Sequence, residues 1–299
     1  MPLSHFDTPT PISVVLDLYV ADVRFAVSDR ADTTVEVRPT NPEQAADVKA
    51  AENSGVDYDH ATRQLRIVSR KTHSRLINFS GKRPESIDVV VQLPTGSDVR
   101  GRTEVGDLES DGVLGTVVFK TGLGVVRLAE AGPLDLRSRL GGVTVGAVNG
   151  AAAVHSGSSD VQIGTVDGTA DVSTGNGKVR IGVVTGRATI KASNGSAFVE
   201  RALSDITAAS ANGEVRIGEV ARGKVSATSK NGSVEVGVRE GSAAWLELNS
   251  GVGRVYNELA SCDAPGTDDP VDRVEVRAGT KLGDVTIRRV PRLDEAGST

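Results

Sequence analysis

The chain has 299 residues, which is long enough for one large domain or two of ordinary size. Its formal net charge of −5 argues against a protein that binds nucleic acid or a membrane with its whole surface, since such binding relies on a basic surface. Aromatic residues make up only 3% of the chain, so we expect a core of Val, Ile, Leu and Ala, and the 34 glycines indicate strands joined by tight turns.

The N-terminal segment predicts no export signal and no membrane span. Its apolar stretch, residues 12–23, is interrupted by Asp17 and Asp22, and no other stretch approaches the roughly 18 consecutive apolar residues that a span needs. Cys262 is the one cysteine, so no disulfide framework can form within the chain, and a free thiol suits a reducing compartment. We therefore predict a cytoplasmic protein.

The first third of the chain predicts an irregular β region. Residues 12–38 alternate like strands, and "QLRIVSR" and "SIDVVVQLP" read as further strands around a loop at 69–86. Between residue 38 and "QLRIVSR" a short helix is expected over 41–53, with Asn41 as the N-cap, Pro42 in the first turn and Gln44 completing a capping box. We interpret residues 1–104 as the cap of a longer β structure, with a separate small β domain as the alternative.

A basic segment from Arg63 to Arg83 is the most distinctive charge feature. No acidic residue occurs from His60 to Pro84. A solvated loop beside acidic neighbours is the simpler interpretation, and a patch for an anionic partner is the functional one. The candidate contacts are Arg63, Arg66, Arg70, Lys71, Arg75, Lys82 and Arg83.

From about residue 105 to 290 the sequence repeats itself every 18 residues. "VQIGTVDGTADVSTGNGK" is followed in register by "VRIGVVTGRATIKASNGS", and Asn-Gly pairs recur once per repeat. Steps of two place the recurring small and apolar residues on one face of a strand. There are three such sets of equivalent residues. The first starts at Val125 and continues through Val179. The second runs from Leu134 through Ala188 to Ala243, and the third from Leu136 through Ile190 to Trp245.

In-register identity predicts a single-chain parallel β-solenoid, an all-β fold in which each residue lies above its counterpart in the preceding coil. We expect roughly ten coils, with a disordered tail at 291–299. A hairpin meander would fit the repeat length but explains the identity less well. A left-handed hexapeptide helix also has about 18 residues per coil, but the spacing does not divide into equal sixes, so the right-handed form is favoured.

No residue pattern in the chain predicts catalysis, a cofactor or a metal. "STGNGKV" fails the phosphate-loop spacing and recurs in every repeat, as a structural turn does. The four histidines have no metal-ligand spacing, and Asp160, Asp167 and Asp171 read as solvated acids rather than as a carboxylate site. We therefore expect a non-enzymatic protein without a cofactor.

The strands "TGNGKVRIG" and "ASANGEVRIGEVARG", with "VREGSAAWLELNSGVGRV" and a closing "KLGDVTIRR", resemble a large bacterial β-strand-repeat family. That family is catalogued as a domain of unknown function and labelled "putative adhesin". The opening "FDTPTPISVVLDLYVADVRF" is similar to its actinobacterial branch. The resemblance covers residues 6–290 and implies a single-stranded β-solenoid, without catalytic residues to transfer.

The function expected from these observations is a β-solenoid interaction or scaffold protein, acting on a protein partner or on itself through its end coils or its flat faces. A secreted or surface adhesin is the alternative, and a polysaccharide-acting β-helix enzyme is less favoured. Trp245 and Tyr256, near the C-terminal end, are expected to form a capping core or, less favoured, a contact patch.

Overall fold

The computed structural model describes residues 3–69, 85–259 and 272–291. In that part of the chain β-strands dominate, and α1 (Ala45–Glu52) is the one α-helix. The strands are β1 (Leu3–Asp7), β2 (Ser13–Ser28), β3 (Asp32–Pro39), β4 (Gly55–Asp59), β5 (Gln64–Val68), β6 (Ile87–Pro94), β7 (Asp98–Val105), β8 (Leu108–Leu114), β9 (Val117–Leu123), β10 (Val126–Ala131), β11 (Leu134–Leu140), β12 (Val143–Asn149), β13 (Ala152–Ser158), β14 (Val161–Asp167), β15 (Ala170–Asn176), β16 (Val179–Val184), β17 (Ala188–Asn194), β18 (Ala197–Ala202), β19 (Ile206–Asn212), β20 (Val215–Val220), β21 (Gly223–Asn231), β22 (Val234–Arg239), β23 (Ala243–Val252), β24 (Val255–Asn257), β25 (Arg273–Leu282) and β26 (Val285–Val290).

Alternating burial explains why these segments form strands. In β15 the side chains of Ala170, Val172 and Thr174 are buried, whereas Asp171 between them is exposed. A strand points successive side chains to opposite faces, so a period of two buries one row and leaves the other in solvent. The buried row consists of the small and branched aliphatic residues that the composition predicts.

The first compact unit spans Met1–Asn149. Its strands from β5 to β12 form two ladders, here called odd and even. The odd ladder contains β5, β7, β9 and β11, and the even ladder contains β6, β8, β10 and β12. The long strand β2 belongs to both, pairing with β5 and β7 through its first half and with β6 and β8 through its second. All of these pairings are parallel, whereas β4 joins β5, β3 joins β6 and β1 joins β3 antiparallel.

The second compact unit spans Gly150–Thr299 and is parallel throughout its described strands. The odd ladder runs β13–β15–β17–β19–β21–β25–β23, and the even ladder runs β14–β16–β18–β20–β22–β26–β24. Each coil contributes one strand to each ladder. The all-β class and the parallel β-solenoid architecture predicted from the repeat are confirmed.

Like residues stack on like through most of the second unit. Ala152, Ala170, Ala188, Ile206 and Val225 are paired in succession, as predicted. The series that continues Val154 through Val172 and Ile190 to Ala227 is also confirmed.

Two parts of the predicted register are wrong. Val126, not Val125, pairs with Val143, because the neighbouring repeat is one residue shorter there. In the last repeat Leu246 and Leu248, not Ala243 and Trp245, continue the inward rows, stacking on Val276 and Ala278. The coil β25–β26 lies between β21–β22 and β23–β24, so the last coils do not stack in chain order.

The N-terminal elements also differ from expectation. Within the stretch 12–38 that was expected to alternate like strands, residues 13–28 form one long continuous strand. The helix starts at Ala45, and Gln44 holds the N-cap position without a side-chain cap hydrogen bond. Asn41 instead accepts the backbone N–H of Glu43 through Oδ1 at 2.9 Å, so it forms a turn ahead of the helix.

The recurrent Asn-Gly pair forms a hydrogen-bonded ladder along the corner of the second unit. Nδ2 of Asn194 donates to Oδ1 of Asn176 at 2.9 Å, and Asn212 donates to Asn194 at 2.8 Å in the same way. Asn231 continues the chain by donating to Asn212 at 2.7 Å. Such a ladder orients every amide in one direction and adds about 1 kcal/mol for each bond.

Candidate functional site

The structure describes two of the seven candidate anion contacts. Arg63 lies in the turn before β5 with φ 52°, and its Nη1 donates to Oγ1 of Thr10 at 3.0 Å. Arg66 is on the outward face of β5, opposite Asp57 of β4. The other five, Arg70, Lys71, Arg75, Lys82 and Arg83, lie outside the described residues, so a basic patch stays a prediction.

Of the three acidic residues considered as a carboxylate site, Asp160 and Asp167 are hydrogen-bonded between coils, whereas Asp171 is exposed on β15. Oδ1 of Asp160 accepts the backbone N–H of Lys178 at 2.7 Å, and Oδ1 of Asp167 accepts the Thr185 hydroxyl at 2.9 Å. Asp205 has the same role, and the N–H of Lys224, with a smaller contribution from Arg187, lowers the pKa of its carboxyl. These carboxylates link one coil to the next.

Polar groups that suit other chemistry are scattered along the ladders. Nδ1 of His155 and Oγ of Ser173 are 2.8 Å apart on the outward face of the odd ladder. Within the described ranges no three metal-ligating side chains come together, and no helix there is long and apolar enough to cross a membrane.

A buried ion-pair cluster joins three coils on the even ladder. The carboxylate of Glu219, whose side chain is 7% exposed, lies 3.2 Å from Nε of Arg201 and 2.7 Å from Nε of Arg239. Arg289 braces this corner, because its Nη1 donates to the backbone oxygens of Arg239 at 3.0 Å and Ser242 at 2.8 Å. The cluster holds coils together rather than offering a free charge.

Replacing Glu219 with Ala leaves two half-buried guanidinium groups without their counter-charge. We expect the free energy of unfolding to fall by about 3 kcal/mol, the usual cost of removing one partner of a buried pair. Denaturant unfolding followed by circular dichroism measures this loss. Glu109→Ala is the control, since its pair with Arg127 is solvent-exposed and should contribute less than about 1 kcal/mol. Equal losses in the two variants would contradict the structural role of Glu219.

In the part of the chain that the structure describes, the coil β23–β24 has one unpaired side. Among the described strands, β23 pairs only with β25 and β24 only with β26. The inward residues Leu246 and Leu248 are half-buried, whereas Val276 and Ala278, which hold the same positions in the adjacent coil, are buried. The side of this coil away from β25–β26 therefore presents core-type side chains and unpaired backbone together.

Exposed apolar residues concentrate at the same place. Trp245 is 56% exposed, Val252 66%, Val255 44% and Tyr256 42%, and Leu282 of the adjacent coil is also exposed. Together with Leu246 and Leu248, these residues are called the end patch. The indole of Trp245 lies under the guanidinium of Arg277, 5.9 Å from the ring centroid, and Nε of Arg277 pairs with Glu247 at 3.1 Å.

Trp245 and Tyr256 are thus exposed on the terminal coil and not buried in a capping core, which corrects the favoured expectation. Sequence reasoning missed Leu246 and Leu248 because the repeat spacing changes before the last coil. The signal was present in "LELNS", where Leu246, Leu248 and Ser250 repeat the alternation of Val225, Ala227 and Ser229 three residues later than assumed.

Several solved structures are similar to this chain at low sequence identity. One is a "putative cell adhesion protein" from Clostridium sporogenes, at 12% identity and TM-score 0.22, covering 97% of this chain and 99% of the other. Another is a "putative adhesin" from Bacteroides fragilis, at 13% identity and TM-score 0.35, covering 97% of both chains. A third is a "putative lipid binding protein" from Parabacteroides distasonis, at 11% identity and TM-score 0.37, covering 97% and 96%.

No curated protein matches the chain. A family model described as Toastrack DUF4097 matches residues 13–288, which extend over most of both compact units and nearly every described strand. The chain belongs to the Toastrack DUF4097 family.

Proposed function

We propose that this protein is a non-enzymatic interaction protein that contacts a partner polypeptide through the end patch. The single observation that carries the proposal is the side of β23 that no described strand pairs with, where half-buried core leucines accompany the strand edge. An edge strand of this kind binds another chain by strand addition, since its main-chain groups supply hydrogen bonds and its side chains supply apolar contact.

The exposure of several large apolar side chains in the end patch supports the same conclusion. Soluble monomers rarely display large contiguous apolar patches, and those that occur usually mark a contact surface. Natural edge strands are commonly protected by charges or by proline. β23 carries one charged residue, Glu247, and the charge of this residue is already paired with Arg277.

The proposal has three finer parts. The protein acts as a scaffold, it is located in the cytoplasm, and it is an actinobacterial-type member of the family. The lone cysteine supports the location, since a chain without disulfides suits a reducing compartment. Cell fractionation tests the location separately from the contact surface. A surface adhesin using the same patch is the alternative outcome of that measurement.

Photo-crosslinking in cells that make the protein tests the contact surface. A photoreactive residue replacing Asn249, which is exposed on β23, should yield a specific crosslinked product, and Leu248→Lys in the same chain should abolish it. The matched position is Lys191, which is equally outward on the interior strand β17 and should give little product. Equal yields at the two positions, or a yield that Leu248→Lys leaves intact, would overturn the proposal.

A further inference from the structure

Within residues 3–69, 85–259 and 272–291, a definite set of β23 backbone groups has no hydrogen-bond partner. In interior strands the inward residues donate towards the next coil, as Ala170 N–H does to Arg187 and Ala188 N–H does to Asp205, both at 2.9 Å. In β23 the outward residue Ala243 donates its N–H to the backbone oxygen of Asp272 at 2.9 Å, which is towards the adjacent coil β25–β26. Because direction alternates along a parallel strand, Ala244, Leu246 and Leu248 direct their N–H and C=O groups at the unpaired side.

We propose that a second copy of this chain occupies that side, with β23 pairing antiparallel to β23 of the second copy about a twofold axis at Leu246. This inference rests on the proposed function and names its partner. A twofold axis perpendicular to the sheet reverses the strand direction and keeps the inward faces on one side. Two identical edges therefore continue the ladder only when they meet in antiparallel fashion. Each copy then satisfies the free backbone groups of the other.

Side-chain complementarity selects this register. With Leu246 opposite Leu246 of the second copy, Ala244 faces Leu248, so every inward contact is apolar. On the outward face Trp245 lies opposite Glu247 of the second copy. Arg277 covers Trp245, so the approaching carboxylate meets a guanidinium group.

The neighbouring register is less favourable. Moving the axis to Glu247 keeps the faces matched but places two carboxylates directly opposite each other, and like charges in that position destabilise a strand pair. Head-to-tail association is disfavoured for a similar reason. The exposed edge strand of the first unit's odd ladder, β4, carries Asp57 and Asp59 and would bring acid against Glu247.

The proposal therefore predicts a closed dimer and not a filament. A twofold contact uses the same surface on both copies and leaves no second copy of that surface free. One strand pair with its leucines is small for a protein interface, so we expect reversible association in the range of roughly ten to several hundred micromolar.

Light scattering after size-exclusion chromatography, across a hundredfold range of concentration, tests the stoichiometry. The mass should rise from 31.0 kDa to twice that value and then stay constant. Leu248→Lys should hold the protein at the monomer mass over the whole range. Leu140→Lys is the matched control, because Leu140 is also an exposed strand leucine but lies in the first unit, and it should dimerise like the parent.

Cysteine crosslinking tests the register. In a Cys262→Ser background, a short bismaleimide crosslinker should join Leu246→Cys to its counterpart as a dimer, since directly opposed strand residues have Cβ atoms about 4.5–5.5 Å apart. Lys191→Cys, on an interior strand, should form no dimer. Circular dichroism of each variant checks that it is folded. The mass of the parent protein tests the dimer independently of folding defects, because that measurement needs no substitution.

The outcomes separate this inference from the proposed function. A constant monomer mass, together with a crosslink at position 249 to a different protein in cells, overturns self-pairing and leaves the interaction surface in place. A mass that grows beyond the dimer overturns the closed arrangement. A dimer that Leu248→Lys leaves intact shows that another surface is responsible and overturns the inference as well.

Discussion

Gly195→Ala should be among the most destabilising single substitutions in the second unit, lowering the free energy of unfolding by about 4 kcal/mol. Gly195 has φ 151°, in a region that side chains rarely adopt, and an added Cβ would lie 1.9 Å from the backbone oxygen of Gly177. Gly213 makes the same approach to Gly195 from the next coil. A methyl group there must push two coils apart, because the backbone cannot rotate away like a side chain.

Gly241→Ala separates the two causes of this loss. Gly241 also has positive φ, 84°, but a Cβ added there meets nothing within 4 Å. Its replacement should therefore cost only the conformational strain, about 1 kcal/mol. Urea unfolding of both variants measures the difference. If Gly195→Ala were no worse than Gly241→Ala, close stacking of the turn glycines would not limit the coil spacing.

Val172→Asp should unfold part of the second unit. Val172 is fully buried, with Val154 and Ile190 in register on either side, so an aspartate there has no partner for its charge. We expect a loss of more than about 4 kcal/mol. Because each coil is stabilised mainly by its neighbours, the loss should spread to β13 and β17.

Hydrogen exchange measures this spread strand by strand. Thr207→Asp is the control, since Thr207 is exposed on the outward face of β19 and its replacement should change stability by less than about 0.5 kcal/mol. Cooperative melting of Val172→Asp at the parent temperature would contradict the inward assignment of this row.

The interior coils could be predicted from sequence because each coil stacks in parallel on the preceding coil with the same residue spacing. Val172 lies over Val154 for the same reason that Ile190 lies over Val172, so one correct spacing predicts the next. Both ends of the pattern required information that spacing does not contain. β2 lies between β5 and β7, and β25 lies between β21 and β23, so neighbours in space there are distant in the chain.

The end patch was only partly predictable for the same reason. Trp245 and Tyr256 stand out in a chain with few aromatic residues, which was enough to draw attention to the segment. Whether they cap a core or face solvent depends on which coil is last. In chain order "KLGDVTIRR" closes the repeat, whereas in space β24 is the last described strand of the even ladder.

The order of the last two coils has a consequence for synthesis on the ribosome. A chain grows from its N-terminus, so β23 and β24 emerge before the residues of β25 and β26 exist. The ladder position next to β21, which β25 fills in the finished protein, is then still vacant. Native pairing of β23 must therefore wait until translation reaches Leu282, and a chain that ends before β25 cannot complete this part of the fold.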